Sequence, residues 1–289
     1  VRIKNEWILR SFGMIDIAAI NVAHADLVYL SSLLRQGDLK ANTRRFPALA
    51  ALVSANVHAV RRDLAQLKPY VVKTVPAAQR GGRPVRVAFI GVTEKAPKSL
   101  EDRVNHGTTG YGISDPVEAV QTVLPEARAK SDLVVVLAYV DRDTAARIGA
   151  IVPSPDVVVA AHQYPLLGKT DAVGPATVAY VSTQTKWLAE LRFARPAGAR
   201  AAKPAVVAHR DVPLDAQTPL DPKADEMVSA ARTEFTAVQQ EAIARAATGG
   251  MAVSLEEQRA ALDRSSGFAG SESCARCHSY QFQVWQAAG

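Results

Sequence analysis

The chain is poor in the residue types that staple or anchor small proteins. Of its 289 residues, 2 are cysteine and 3 are methionine, and aromatic residues make up 6%. Two cysteines exclude a disulfide framework as the main source of stability, so a hydrophobic core must hold the fold. No uninterrupted apolar run reaches the ~18 residues that a membrane-spanning helix needs. No basic-then-apolar signal segment opens the chain either. With 48% hydrophobic and 21% charged residues, there is ample material for a core in one or two domains. The net charge is +6 and the isoelectric point about 9.4. The basic residues are spread over pairs such as Arg44-Arg45 and Arg61-Arg62, with no dense run interleaved with aromatics. That excludes a nucleic-acid face and fits a solvated surface with an acidic redox partner or an anionic substrate behind it.

What the cysteines do is more specific. They sit in Cys274-Ala275-Arg276-Cys277-His278, the spacing that attaches a c-type haem. Two thiols three residues apart can form thioethers to the haem vinyl groups, and the following imidazole can ligate the iron. A dithiol redox pair, half a zinc site and a structural disulfide are the competing readings. The zinc site would need two further ligands, and the redox pair would be expected at a strand-to-helix turn. Cys274 and Cys277 are therefore the expected covalent anchors of haem c, with His278 as axial ligand. Met227, Met251, His209 and His106 are in-chain candidates for the sixth ligand, although such residues more often serve packing or the surface. Tyr280, Phe282 and Trp285 could wall a porphyrin or simply pack. Because covalent haem is attached outside the cytoplasm, the expected location is the periplasm or an equivalent exported compartment. The chain begins at Val1 and ends eleven residues after His278, which reads as an internal fragment.

Apolar periodicity organises the rest. Short apolar runs predict strands at residues 15–22, 51–57, 70–75, 85–92, 133–140, 157–161, 177–182 and 188–193. Helices are expected at 26–34, at 116–130 behind the cap Asp115, and at 141–151. Strand and helix alternate, and the continuous run Leu133 to Val140 suits a sheet covered on both faces, so the fold class is α/β. Residues 206–212 read as an edge strand and the proline-rich 213–222 as a boundary. A helix follows from 222 to 247, a shorter one from 254 to 262, and then the cysteine motif.

Polar residues cluster where strands end: Asn21 with His24 and Asp26, Ser54 with Asn56 and His58, Tyr139, and His162 with Gln163 and Tyr164. Open α/β sheets place ligands at such ends. Together with Phe46-Pro47 and the run Val87 to Thr93, these segments resemble, over residues 15–193, the 5′-nucleotidase branch of the calcineurin-like metallophosphatases. The resemblance implies an α/β/β/α sandwich and a two-metal phosphoesterase centre. Its Asp-x-His and Gly-Asp segments would precede residue 1. Where that family has Gly-Asn-His-Glu, this chain has Ala23-His24-Ala25-Asp26. Its lone strand-end histidine is Tyr139 here, and Gly-His-x-His appears as Ala161-His162-Gln163-Tyr164. The two-metal centre is therefore expected to be broken. His24, Asp26 and His162 remain as candidates for a residual divalent-metal site, and no catalytic residue is assigned.

The segment from Gly270 to His278, with Gln281 and Trp285, resembles the first haem-binding segment of multihaem cytochromes c. The expected organisation is thus a metallophosphatase-like domain at 1–212, truncated at its N-terminus, linker and helices at 213–268, and at 269–289 the start of a mostly helical cytochrome c domain. The expected function is electron transfer to a redox partner protein or to further haems of the same chain. The alternative is a metal-dependent phosphoesterase of the 5′-nucleotidase type with an accessory haem.

Overall fold

The computed structural model describes residues 2–76, 83–95, 109–161, 169–181, 186–194 and 205–248. In chain order the elements are α1 (Arg2–Phe12), β1 (Ile20–Asn21), a 3-10 turn (His24–Asp26), α2 (Leu27–Leu33), α3 (Leu39–Arg45) and a second 3-10 turn (Pro47–Ala51). There follow β2 (Leu52–Val53), β3 (Val57–Ala59), β4 (Tyr70–Val75), β5 (Val85–Thr93), β6 (Tyr111–Ile113), α4 (Pro116–Lys130), β7 (Leu133–Tyr139) and α5 (Arg142–Gly149). The series ends with β8 (Val157–Ala161), β9 (Thr170–Val173), β10 (Ala176–Val181), β11 (Trp187–Ala194), β12 (Ala205–Pro213) and α6 (Pro222–Thr248).

The central sheet has the order β4-β5-β7-β8-β10-β9. Its four inner strands run parallel, with antiparallel strands at both edges. Parallel strands are apolar on both sides because both faces are covered. On one face, Ile90, Val136, Val158 and Val178 meet Val120 and Leu124 of α4 and Ile148 of α5. On the other, Val87, Leu133, Val135 and Val157 meet Leu191, Phe193 and Val206 of the β11–β12 hairpin. A short parallel pair, β1–β2, has its own core beneath α1 and α2, built on Val22, Leu27, Phe46 and Leu52. The result is a mixed α/β fold. Among the described residues, no helix is long and apolar enough to cross a membrane. The chain divides into two compact units, Val1–Ala231 and Arg232–Gly289, with the division inside α6.

Local chemistry explains the well-formed elements. Asp115 caps α4 by accepting from the Val117 and Glu118 N–H groups at 2.8 and 3.0 Å, Pro116 opens the helix, and Arg128 and Lys130 lie in its last turn. Asp141 does the same for α5 through the Thr144 N–H. Elsewhere the apolar pattern overstates the strands. Of residues 15–22 only Ile20–Asn21 pairs, because the Ile17 N–H closes a tight turn on the Ile15 carbonyl at 2.8 Å. The run 51–57 splits into β2 and β3, since Ser54 turns away to bond the Lys68 carbonyl. The helix expected from Asp26 begins as a 3-10 turn and becomes α-helical at Leu27. The region expected to hold the cytochrome segment lies outside the described residues.

Candidate functional site at the strand ends

The sheet brings four chain segments to one end. β1 leads into the 3-10 turn His24–Asp26, β5 ends at Thr93, and β7 ends at Tyr139. Asn56 links them. It is 1% exposed, donates through Nδ2 to the carbonyls of Thr93 (2.6 Å) and Ser114 (2.9 Å), and accepts from the Thr93 N–H at 3.0 Å. Thr93, fixed in this way, accepts from the His24 backbone N–H through Oγ1 at 3.1 Å. Asn21 ties β1 to the same strand by donating to the Val92 carbonyl at 2.8 Å. The Glu94 N–H donates to the Tyr139 carbonyl at 2.8 Å. Each polar bond here satisfies a backbone group that the end of a strand would otherwise leave open.

His24 is buried, and its ring meets Tyr139 edge-on, with centroids 5.6 Å apart and planes at 62°. The Asp26 carboxylate accepts from the Ala23 N–H at 2.9 Å and so closes its own turn. Desolvation raises the Asp26 carboxyl above its ordinary range, opposed by that hydrogen bond and by His24. Burial raises the Tyr139 phenol, and the charges of Glu94 and Asp26 push the same way. Tyr139 is therefore a neutral phenol at ordinary pH. Beside β1 opens a cleft of about 250 Å³, walled by Ile8, Phe12 and Leu30, with Asp26 on its rim.

His24 and Asp26 share one 3-10 turn, and the Tyr139 ring lies against His24. His162, Gln163 and Tyr164 lie outside the described residues, as do Cys274, Cys277 and His278. Among the described residues, no group of three His, Cys, Asp or Glu side chains is arranged to hold a metal ion. Two dications need several anionic oxygens and imidazoles. Among the described residues the site offers one imidazole at His24, a methyl group at Ala25, a neutral phenol, and a carboxylate engaged with its own backbone, and this set does not fit a two-metal centre. Of the candidate sixth iron ligands, Met227 lies half-buried on α6. His209 on β12 has a side chain only 6% exposed, with Nε2 3.4 Å from Asp211 Oδ1. Thr93 and Glu94 were not singled out as site residues from the sequence. The signal for Thr93 was its place at the end of an otherwise apolar strand.

No protein-family model matches the sequence, and no curated protein matches it. Solved structures do. The sulfate thiohydrolase SoxB of Thermus thermophilus, in complex with glycerol, superposes with a TM-score of 0.59 at 15% identity, over 81% of this chain and 40% of that one. A 5′-nucleotidase precursor from Thermus thermophilus gives 0.57 at 21% identity, over 83% and 47%. The calcineurin-like phosphoesterase YfkN of Bacillus subtilis gives 0.57 at 16% identity, over 80% and 75%. The fold is that of the 5′-nucleotidase-type metallophosphatases. The chain spans less than half the length of the first and second of these proteins, and identities this low concern the metallophosphatase-like fold alone.

Proposed function

We propose that this chain is a metallophosphatase-like platform that has lost two-metal hydrolysis and carries a covalently attached haem for electron transfer in an exported compartment. The observation that carries the first half is the Tyr139 ring set against His24, with a methyl group at Ala25. A site that activates a metal-bound hydroxide needs the charges these residues lack. The second half rests on the Cys274-Ala275-Arg276-Cys277-His278 spacing, in which Cys274 and Cys277 take the thioethers and His278 the iron. The partners would be a redox protein or further haems on the same polypeptide.

The fold comparisons favour a different reading and say nothing of haem. The neighbours carry the names of nucleotidases, a phosphoesterase and a thiohydrolase. On that reading the body is a metal-dependent phosphoesterase, and His24, Asp26 and His162 contribute to a residual divalent site. One preparation tests both. The chain is expressed in the periplasm with a cytochrome c maturation system, beside Cys274→Ala/Cys277→Ala. A pyridine haemochrome band that survives denaturation and vanishes in the double variant supports haem. Manganese-dependent release of phosphate from nucleoside monophosphates by both proteins, with no such band, would replace this proposal with the hydrolase.

A further inference from the structure

We infer that the outer edge of β4 is a docking site for an extended acidic peptide, which joins the central sheet as an added strand. β4 is a terminal strand of that sheet. The direction of its backbone groups follows from β5. Arg86 exchanges bonds with Asp132 on the β7 side, its carbonyl accepting from the Asp132 N–H at 2.8 Å and its N–H donating to Oδ2 at 2.9 Å. The Gly91 carbonyl instead accepts from the Ala55 N–H on the opposite side. Backbone direction alternates along a strand, so Phe89 and Val87 turn toward β4 and bond their partners Val71 and Lys73. Tyr70, Val72 and Thr74 therefore aim their N–H and C=O groups outward. Among the described residues, no strand pairs with that edge along Tyr70–Val75; β2 meets only its approach, where Val53 bridges Lys68 and the Ser54 N–H bonds the Lys68 carbonyl at 2.9 Å.

The space beside this edge has the shape such a strand needs. A groove of about 540 Å³ runs along Tyr70 to Lys73, walled by Ile15 and Ile17 and floored by Ala50 and Ala51. The small floor leaves room for alternate side chains of an incoming strand, and Ile15, 63% exposed, offers them apolar surface. Lys68 and Lys73 flank the groove, and neither has an ion-pair partner among the described residues. Among the described residues, Asp16 is the one acidic residue of its lining. Two lysines with no ion-pair partner among the described residues, beside an edge that no described strand covers along Tyr70–Val75, select an acidic strand, and Lys73 in the strand disfavours pairing with a second copy through like-charge repulsion.

The test uses the 289-residue chain and a fluorescent, end-blocked peptide of about eight residues alternating Glu and Val, long enough for one strand. Anisotropy is expected to show saturable binding that weakens with salt. Lys73→Glu should weaken it at least about fivefold, at the upper end of what one rim charge contributes. Val72→Pro should abolish it, because proline is tolerated on an open edge yet removes the outward N–H. Far-UV circular dichroism confirms that both variants fold. Equal binding by a peptide N-methylated at alternate residues, or by a Lys-Val peptide, would overturn the inference, as would wild-type affinity in either folded variant. Absence of saturable binding would do the same. So would sedimentation showing that the edge instead joins two copies, with dimers that Val72→Pro dissociates.

Discussion

Asn56→Ala should be among the most damaging single substitutions in the α/β body. The Asn56 side chain makes bonds of 2.6 Å to the Thr93 carbonyl, 2.9 Å to the Ser114 carbonyl and 3.0 Å from the Thr93 N–H. Thr93 is 0% and Asn56 1% exposed, so water cannot replace the lost partner without opening the fold. Each buried backbone group left open costs about 1–3 kcal/mol. Three groups sharing one partner do not add fully, which gives a loss of about 4 kcal/mol. In a domain of this size each kcal/mol moves the melting temperature by about 2–4 °C, so the expected drop is about 8–16 °C. Thermal circular dichroism measures it, and urea titration at an unchanged slope separates lost stability from a changed denatured state. Hydrogen exchange should rise at His24, whose N–H hangs on Thr93 Oγ1. A loss below about 1 kcal/mol would refute the view that Asn56 holds the strand ends together.

Gly91→Ala places a Cβ 2.5 Å from the Val53 carbonyl oxygen and 2.6 Å from Asn21 Oδ1, so β1–β2 must lift off β5. A loss of about 2–3 kcal/mol is expected by chemical denaturation, against no more than about 0.5 kcal/mol for Gly37→Ala, which meets nothing within 4 Å. Burial, with Asp63 adding to it, pushes the Tyr111 phenol up to about 12 from 10.0. The unfolded phenol therefore loses its proton first as pH rises. Stability should be full below pH 10 and fall between 10 and 12, as read by urea midpoints with ultraviolet titration of the phenol. Tyr111→Phe should remove that alkaline fall, and losing the hydrogen bond to the Ala65 carbonyl (2.7 Å) should lower neutral stability by about 1 kcal/mol.

The legible parts of the fold were those in which one local signal and the tertiary environment agree. Residues 70–75 and 157–161 form strands with the boundaries their apolar runs predict, and Asp115 with Pro116 marks the start of α4. The failures lie where a tertiary bond decides. Nothing in the run 51–57 shows that Ser54 will bond Lys68 and that Asn56 will turn its side chain to Thr93, yet those bonds end β2 and begin β3. α1, Arg2–Phe12, has no acidic residue in its first turn to mark its start. At the site, the sequence showed which residue types had changed. It could not show that Tyr139 meets His24 edge-on, or that Asp26 spends a carboxylate oxygen on Ala23.

Those bonds also separate the two functional readings. A binuclear enzyme holds its strand ends partly through metal ligands, so binding metal adds to its stability by mass action. Manganese at a thousand times its dissociation constant would add about 4 kcal/mol. Here Asn56, Thr93 and the Asp26 turn hold the same ends through protein hydrogen bonds, and Tyr139 brings a neutral ring where a ligand would be wanted. The melting temperature of the chain should therefore move by less than about 1 °C between excess manganese and excess chelator. A gain of about 8–16 °C with manganese, lost in His24→Ala, would mean that a metal centre forms despite Tyr139. The platform reading would then give way to the phosphoesterase.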